Sequence, residues 1–556
     1  MVRQLGRGGV TGALAAGRIG GVAVLGSTLS AVAPFTMVAG LGVVGLSTTG
    51  NLALPLGYVI VAVLLGIFST GYVTLSRHLP HAGAFYSQAA AGLGPSVGVA
   101  SAWVALLAYD ALQVALFGIV GSPATPLIQD WTGMAPPWWL VAYAAWGLVA
   151  VLGVSRVEVS ARVLQVLLTC EVLVLVVYDV TWLTHPAHPG GPGGGIAWTM
   201  LDPSRVSWGA MGPVLAIAVL GFIGFETAVV LSEEVRDHAR TIPRATYTAV
   251  GFVAVLIGGS ILAIGTATGP DAVVDRAGKE GPDLVFTLAA DHLGSGAATV
   301  GRVLFLTSVL AALASFHVTT SRYVFALGRE GALPTRLGRA STHGAPRAAS
   351  LTQSTLAFVV VTVFAVTGWD PLTNLFYIGG TSGALGILIL LPVGSLAVLG
   401  FFTDDHHDET LWRTRVAPVL SLTGLLVVLG LVVWHFAALL GVPEDSPLRW
   451  GVPALYAVVL AAGLGYGRWL KTARPGVYAA IGHGAHAALL PTTGTAPRPE
   501  PRNGLPANGP LPGDHPPFGG GMPEALVADL RDAYRSDEVD GSAGPVEQRS
   551  WEGRPR

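Results

Sequence analysis

Leu220-Gly221-Phe222-Ile223-Gly224-Phe225-Glu226-Thr227 sits inside an apolar run, 209–232, that is long enough to cross a membrane. A bilayer crossing needs ~20 mainly apolar residues in one helix. Paired glycines and a carboxylate are out of place there unless the helix is interrupted. A second run, 20–46, carries Gly26-Ser27-Thr28-Leu29-Ser30-Ala31-Val32-Ala33-Pro34 midway along its length. Pro34 removes an intrahelical hydrogen bond and clashes with the preceding turn. Ser27, Thr28 and Ser30 can satisfy the freed backbone groups or contact a solute. Taken alone, this stretch reads as a proline kink whose hydroxyls bond to their own helix. Taken together, the two stretches say more. Irregular backbone at membrane depth is tolerated only where it is buried in protein or lines a cavity. Such segments in corresponding helices of two halves point to a transport site between repeats.

The rest of the chain agrees with a membrane setting. Of 556 residues, 52% are hydrophobic and only 12% are charged, half the share of a typical soluble domain. Mean hydropathy is +0.60. The net charge of −2 offers no field for nucleic acid. Cys170 is the only cysteine, which excludes an intrachain disulfide and a cysteine-based metal cluster. Hydropathy gives twelve spans: 20–46, 56–76, 98–120, 138–154, 162–184, 209–232, 246–268, 299–327, 350–367, 371–400, 416–440 and 451–470. They are called spans 1 to 12 below. Spans 1, 8 and 10 exceed a straight crossing, so tilt or breaks are expected in them. The first apolar run continues too far for a signal-peptide core and is read as an uncleaved span.

Loop charges orient the chain. One set of loops holds Arg77, Arg156, Arg236, Arg240, Arg244, Arg329, Arg336, Arg339, Arg347, Arg413 and Arg415. The alternate set holds Arg205, Arg276, Lys279 and Arg449, with Arg302 near an edge. By the positive-inside rule the first set is cytoplasmic, and an even span count puts both termini with it. The domains expected are a cytoplasmic N-terminus (1–19), a transmembrane permease domain (20–470) and a disordered cytoplasmic tail (471–556). The tail is Pro/Gly-rich and polar and buries too little apolar surface to order itself. One amphipathic helix is expected in it, over 522–536. The connection 269–298 contains an apolar patch, Leu284 to Leu293, that suits a short surface helix over an entrance.

Ionisable groups inside spans are functional candidates by default. Asp110 in span 3, Glu171 in span 5 and Glu226 in span 6 are the acids least easily dismissed. Asp179 near the outer end of span 5 needs no partner, and snorkelling suffices for Arg322 near the cytoplasmic end of span 8. His317 in span 8 reads more readily as a hydrogen-bonded packing residue than as a proton carrier.

At these residues the chain resembles the amino acid–polyamine–organocation superfamily of permeases. Gly221-Phe-Ile-Gly-Phe-Glu-Thr-Ala228, with Ser232-Glu-Glu-Val-Arg-Asp-His-Ala-Arg-Thr-Ile-Pro-Arg-Ala245, is similar to the family's sixth helix and the loop after it. Arg322-Tyr-Val-Phe-Ala-Leu-Gly-Arg-Glu-Gly-Ala-Leu-Pro334 is similar to the loop after helix eight, and Pro80-His-Ala-Gly-Ala-Phe-Tyr86 to the segment after helix two. The resemblance covers 20 to about 470. It implies an all-α polytopic fold of about twelve helices, a 5+5 inverted repeat of the leucine-transporter type with helices 1 and 6 broken. Two departures stand out. The first-helix break reads Ser30-Ala31-Val32-Ala33-Pro34 where a Gly-Ser-Gly type triplet is common. Glu171 stands near the place where some proton-coupled members carry a lysine.

These readings converge on a secondary active transporter for an amino acid or related small amine, rocking spans 1, 2, 6 and 7 against a scaffold. Ser30, Ala31, Val32 and Ala33 with Gly221, Phe222, Ile223 and Gly224 are expected to line one cavity. Half-helix N-termini there suit a substrate carboxylate. Phe222 or Phe225 could close over the solute or face a cationic amine. Glu171 is the expected proton carrier, about ten residues into its span and so roughly 15 Å deep. Glu226, Asp110, Phe225 and His317 are further coupling or gating candidates. Three rivals stand beside this reading: sodium coupling through helix-one carbonyls with Ser315 and Thr319, uncoupled exchange, and a transporter-like sensor whose tail signals. A nucleotide-binding GxxxxGK[ST] loop does not occur, so ATP-driven transport would need another subunit, and without an HExxH motif, a cysteine cluster or a Ser/His/Asp arrangement a membrane-embedded enzyme is not expected. No cofactor or metal is expected. On the arginine-rich side Glu233, Glu234, Arg236, Asp237, Arg240 and Arg244 should pair with other inner loops, including Arg329 and Glu330.

Overall fold

The computed structural model describes residues 19–484, apart from 156, 191–194, 206–210, 342–343 and 404–407, together with 10, 11, 14 and 17. The amphipathic helix expected over 522–536 lies outside the described residues. Spans 1–3 are Gly21–Thr49, Leu54–His78 and Pro95–Thr132; span 4 is Trp138–Val154, and span 5 is the helix Val157–Thr184. Spans 6–12 are Met211–Glu234, His238–Thr268, Ser295–Arg329, Arg347–Thr367, Pro371–Phe401, Trp412–Trp434 and Leu448–Ala473. Eleven of them are long and apolar enough to cross a bilayer. Span 4, at 17 residues, is the short one. The fold is an all-α polytopic membrane protein.

Strands are minimal among the described residues. Val10–Thr11 pairs antiparallel with Ala340–Ser341, and Ile19 bridges Val235. The bridge ties the start of span 1 to the end of span 6. Ile19 N–H donates to the Glu234 carbonyl at 3.1 Å, and Arg236 N–H donates to the Ile19 carbonyl at 3.4 Å.

Of the three long spans, two are irregular. Span 1 breaks at Ala33, and span 10 opens with a wide π-type turn over Pro371–Tyr377. Span 8 runs unbroken through 35 residues. Span 3 is longer than its apolar run suggests because the helix resumes over Gly121–Thr132.

The outer face of the bundle is apolar in the way a lipid contact demands. Val63, Val255, Val366 and Val458 all stand exposed. Exposed Trp131, Trp139, Trp369, Trp434 and Trp450 lie at the ends opposite the arginine-rich loops, and Trp412 and Trp469 lie at the arginine-rich ends. Two such girdles mark the membrane–water boundaries. Inside, small residues let helices approach closely. A Cβ on Gly463 of span 12 would lie 2.6 Å from the Ala100 Cα of span 3.

The connection between spans 7 and 8 forms two helices, Pro270–Glu280 and Asp283–Leu293. The second buries Leu284, Val285, Phe286 and Leu288. Phe286 stacks on Phe35 of span 1 at 6.1 Å and tilts against Phe305 of span 8 at 5.9 Å. This surface helix is thereby anchored on the second half of span 1.

The start of the tail departs from the expectation of disorder from 471. Pro475–Ala480 is a short helix, and Ile481 is buried. Apolar residues at 477–481 and a backbone clamp on Glu330, described below, hold this segment in place.

Candidate functional site

Span 1 breaks because Ala33 takes a left-handed conformation, φ 53°, ψ 68°, ahead of Pro34. Only Asp408 shares positive φ among described non-glycine residues. Such a conformation costs of order 1–3 kcal/mol and persists only where its surroundings enforce it. Here they do. Phe35 N–H donates to Glu171 Oε1 at 2.5 Å. Thr36 donates its N–H to Ser308 Oγ at 3.3 Å and its hydroxyl to the same atom at 3.1 Å. Ser308 Oγ in turn donates to Glu171 Oε1 at 2.7 Å. Spans 5 and 8 thus hold the start of the second half of span 1.

Span 6 breaks after Phe222, through a turn at Ile223 and Gly224, and continues as a tight 3-10 helix over Phe225–Glu234. Gly224 has φ 115°, and a Cβ there would lie 2.7 Å from the Val32 nitrogen. The two breaks therefore touch. Glu226 is fully buried at this junction. Its Oε2 accepts from Gly224 N–H at 2.9 Å and its Oε1 from the Tyr109 hydroxyl at 3.0 Å.

A cavity of about 90 Å³ lies against the breaks. Ala31, Ala33 and Ile223 line it, with residues of spans 3, 8 and 10 opposite. Its polar groups are Tyr377 and Thr381. Ser30, Val32, Gly221, Phe222 and Gly224 lie in the breaks but not on this wall. Phe222 packs on Tyr58 at 5.6 Å, and Phe225 meets Phe68 edge-on at 6.2 Å. Neither ring faces the cavity. The aromatic wall comes instead from Phe316 of span 8 and Phe376 and Tyr377 of span 10. The Gly379-Gly380-Thr381-Ser382-Gly383 stretch was the available signal, since Gly380 and Thr381 open that face.

The remaining acids and His317 have other surroundings. Asp110 lies beside Gln353 and Tyr456, away from the cavity wall. His317 takes a hydrogen bond at Nδ1 from Gln113 at 3.2 Å and bonds Ser350 through Nε2 at 2.8 Å. Gln353 donates to Gln113 Oε1 at 2.5 Å, so the string joins spans 3, 8 and 9. With Gln113 donating into Nδ1, His317 carries its proton at Nε2 and acts as a packing hydrogen-bonder. Asp179 does have a partner: Ser260 of span 7 donates to it at 2.7 Å. Arg322 does not snorkel. Its side chain is 4% exposed and pairs with Glu234 at 2.6 Å.

On the arginine-rich side, largely buried charges pair across the loops. Arg329 forks onto Glu233 at 2.8 and 2.7 Å. Ala82 N–H adds a bond to Glu233 at 2.9 Å. Glu330 accepts four bonds: from His81 Nε2 at 2.6 Å, the Tyr86 hydroxyl at 2.5 Å, Gly482 N–H at 2.7 Å and Gly484 N–H at 2.8 Å. Arg236 and Asp237 play no part in it. Arg236 bonds the Gly17 carbonyl, and Asp237 caps its own helix at Arg240. Removing one partner of a buried pair costs about 3–5 kcal/mol, because the other charge is stranded. Arg329→Ala is accordingly expected to loosen this mouth, read as faster amide exchange over 81–86 and 232–235. Unchanged exchange would show that the pair carries no closure.

Burial alone would raise the Glu330 carboxyl, but His81, Tyr86 and Gly482 outweigh it and hold the group below its usual value. A carboxyl lowered on folding stabilises above its unfolded pKa of about 4.3 and loses that contribution as pH falls through the lower folded value. Protection of 475–484 is therefore expected to be flat from neutral pH to about 5 and to fail only in stronger acid. Glu330→Gln should lose it at every pH, measured by hydrogen exchange.

The geometry defines a polytopic membrane protein with a cavity bordered by two broken helices and by spans 3, 8 and 10. The amino acid permease family model matches residues 13–463, and the chain belongs to that family. It is similar to the low-affinity putrescine importer PlaP of Escherichia coli strain K12, 29% identical over 55% of this chain and 65% of that protein. It is also similar to the L-lysine transport protein of Corynebacterium glutamicum, 26% identical over 61% of this chain and 66% of that protein. The gamma-aminobutyric acid permease of Bacillus subtilis is 24% identical over 39% of this chain and 45% of that protein. These matches span just under two thirds of the first two relatives' lengths and under half of the third.

Proposed function

We propose that the chain is a secondary active transporter that moves an amino acid or related small amine across the plasma membrane by alternating access, driven by protons. The observation that carries this reading is the contact of two broken helices, Gly224 against Val32, beside a cavity of about 90 Å³. Exposed half-helix ends at the midplane are a transporter's way of meeting a polar solute. The likeness to a putrescine importer and to an L-lysine transport protein supports the same chemical range. With both termini cytoplasmic, the arginine-rich mouth is the inner gate, and its ion pairs hold it shut. The cavity walls run from the breaks toward Leu41 and Phe376, on the opposite side.

Glu171 supplies the coupling in this proposal. It lies at a joint where spans 1, 5 and 8 meet, so its protonation can bias how the start of the second half of span 1 is held. The rival sodium site at Ser315 has less support, because Ser315 Oγ donates to the Ser27 carbonyl at 3.0 Å. The test is uptake into liposomes holding the full chain, with an imposed pH gradient and a panel of amino acids and amines. Accumulation that collapses with the gradient supports the reading. Uptake that needs preloaded internal substrate would make the protein an exchanger. No uptake of any member would leave the sensor reading.

A further inference from the structure

We propose that the transported solute is a primary amine without a carboxylate, and that α-amino acids are rejected for want of a group to receive their acid. This rests on the permease reading above and narrows it. In a broken membrane helix, the first N–H groups of the second half are the natural receptors for a substrate carboxylate. In this chain each of them is spoken for. Pro34 has no N–H. Phe35 N–H goes to Glu171, and Thr36 N–H goes to Ser308. Met37 N–H closes back on the Ala33 carbonyl at 2.9 Å. In span 6 Gly224 N–H goes to the Glu226 carboxyl and Thr227 N–H to the Gly224 carbonyl at 3.1 Å, and none of the residues Phe225–Glu234 lines the cavity.

The protein has placed its own two buried acids where a substrate's acid would sit. The cavity offers no replacement, since among the described residues no lysine, arginine or histidine lines it. Its hydroxyls, Tyr377 and Thr381, are two donors in an otherwise apolar wall. A carboxylate entering there would give up water and gain no charged or multiple-donor partner, which is unfavourable in a low-dielectric site. An ammonium meets the opposite field. Ala31, Ala33 and Ile223 line the cavity where the first halves of spans 1 and 6 end. The last carbonyls of a helix carry partial negative charge. Occupied N-termini and the negative ends of two helix dipoles at the cavity wall together select a cation.

Pairs of compounds that differ only by the carboxylate test this without any substitution. Full-length protein in liposomes is given ornithine or putrescine, lysine or cadaverine, and leucine or isoamylamine, and initial uptake is followed by mass spectrometry. The expected result is at least one amine taken up saturably and at least tenfold faster than its carboxylated partner, with no pair reversed. A tenfold ratio corresponds to ~1.4 kcal/mol of discrimination. If saturable uptake occurs but no pair reaches tenfold, or an amino acid outruns its amine, the proposal falls and the permease reading stands. If no compound is taken up saturably, the permease reading falls and takes the proposal with it.

Discussion

Gly224→Ala is expected to abolish transport, lowering uptake at least 100-fold in liposomes at matched protein content. Two costs add at one position. The added methyl would lie 2.7 Å from the Val32 nitrogen and 2.8 Å from the Ala31 carbonyl carbon, both backbone atoms that cannot rotate aside. The backbone there has φ 115°, a conformation that L side chains rarely adopt. Strain of that kind costs of order 1–3 kcal/mol before any overlap is counted. A 100-fold loss needs only about 2.7 kcal/mol at the rate-limiting step. Gly251→Ala is the control, because a Cβ at Gly251 meets nothing within 4 Å. Equal activity of the two variants would show that the breaks in spans 1 and 6 need no close approach.

Glu171→Gln should uncouple the carrier while leaving it folded. The amide oxygen can still accept from Phe35 N–H and the Ser308 hydroxyl, so the joint between spans 1, 5 and 8 keeps its hydrogen bonds. What the variant lacks is a titratable proton. Accumulation against a gradient should fall at least tenfold, while counterflow of substrate between equilibrated liposomes persists. Glu171→Leu differs in kind. It leaves the Phe35 N–H unsatisfied in a buried site, costing about 1–3 kcal/mol of stability, and should lower the melting temperature as well. A Gln variant that concentrates substrate as the native protein does would remove Glu171 from coupling.

The features that were readable in the sequence were those where one residue type forces the backbone. Pro34 and Gly224 announce breaks because one lacks an N–H and the other alone tolerates φ 115°. Helix existence was readable from apolar length, although span 3 runs on to Thr132 through a polar stretch. Facing was not readable. A membrane helix that is apolar all round has no stripe to say which side turns inward. Phe222 and Phe225 therefore looked eligible for the cavity; packing on Tyr58 and Phe68 removes them, and Phe316 and Phe376 take that wall.

Long-range polar partners were hidden for a different reason. Arg322 sits near a span end, where snorkelling is the economical reading, yet its partner Glu234 is 88 residues away. The Glu330 clamp draws on His81 and Tyr86 from the segment after span 2 and on Gly482 and Gly484, 152 and 154 residues beyond Glu330 along the chain. Composition placed Gly482 in a polar tail. Its backbone N–H, which no composition reports, gives it a fixed place.

The most direct test of the account is substrate protection of a cysteine placed in the cavity wall. Cys170 is the only native cysteine and is exposed, so a Cys170→Ser background leaves a single introduced thiol. Thr381→Cys puts that thiol on the cavity between the broken spans. A charged, membrane-impermeant thiol reagent should modify it and block transport, and a transported substrate should slow the modification in proportion to its occupancy. A substrate that the Cys variant transports but that leaves the modification rate unchanged would place the solute elsewhere and contradict the account.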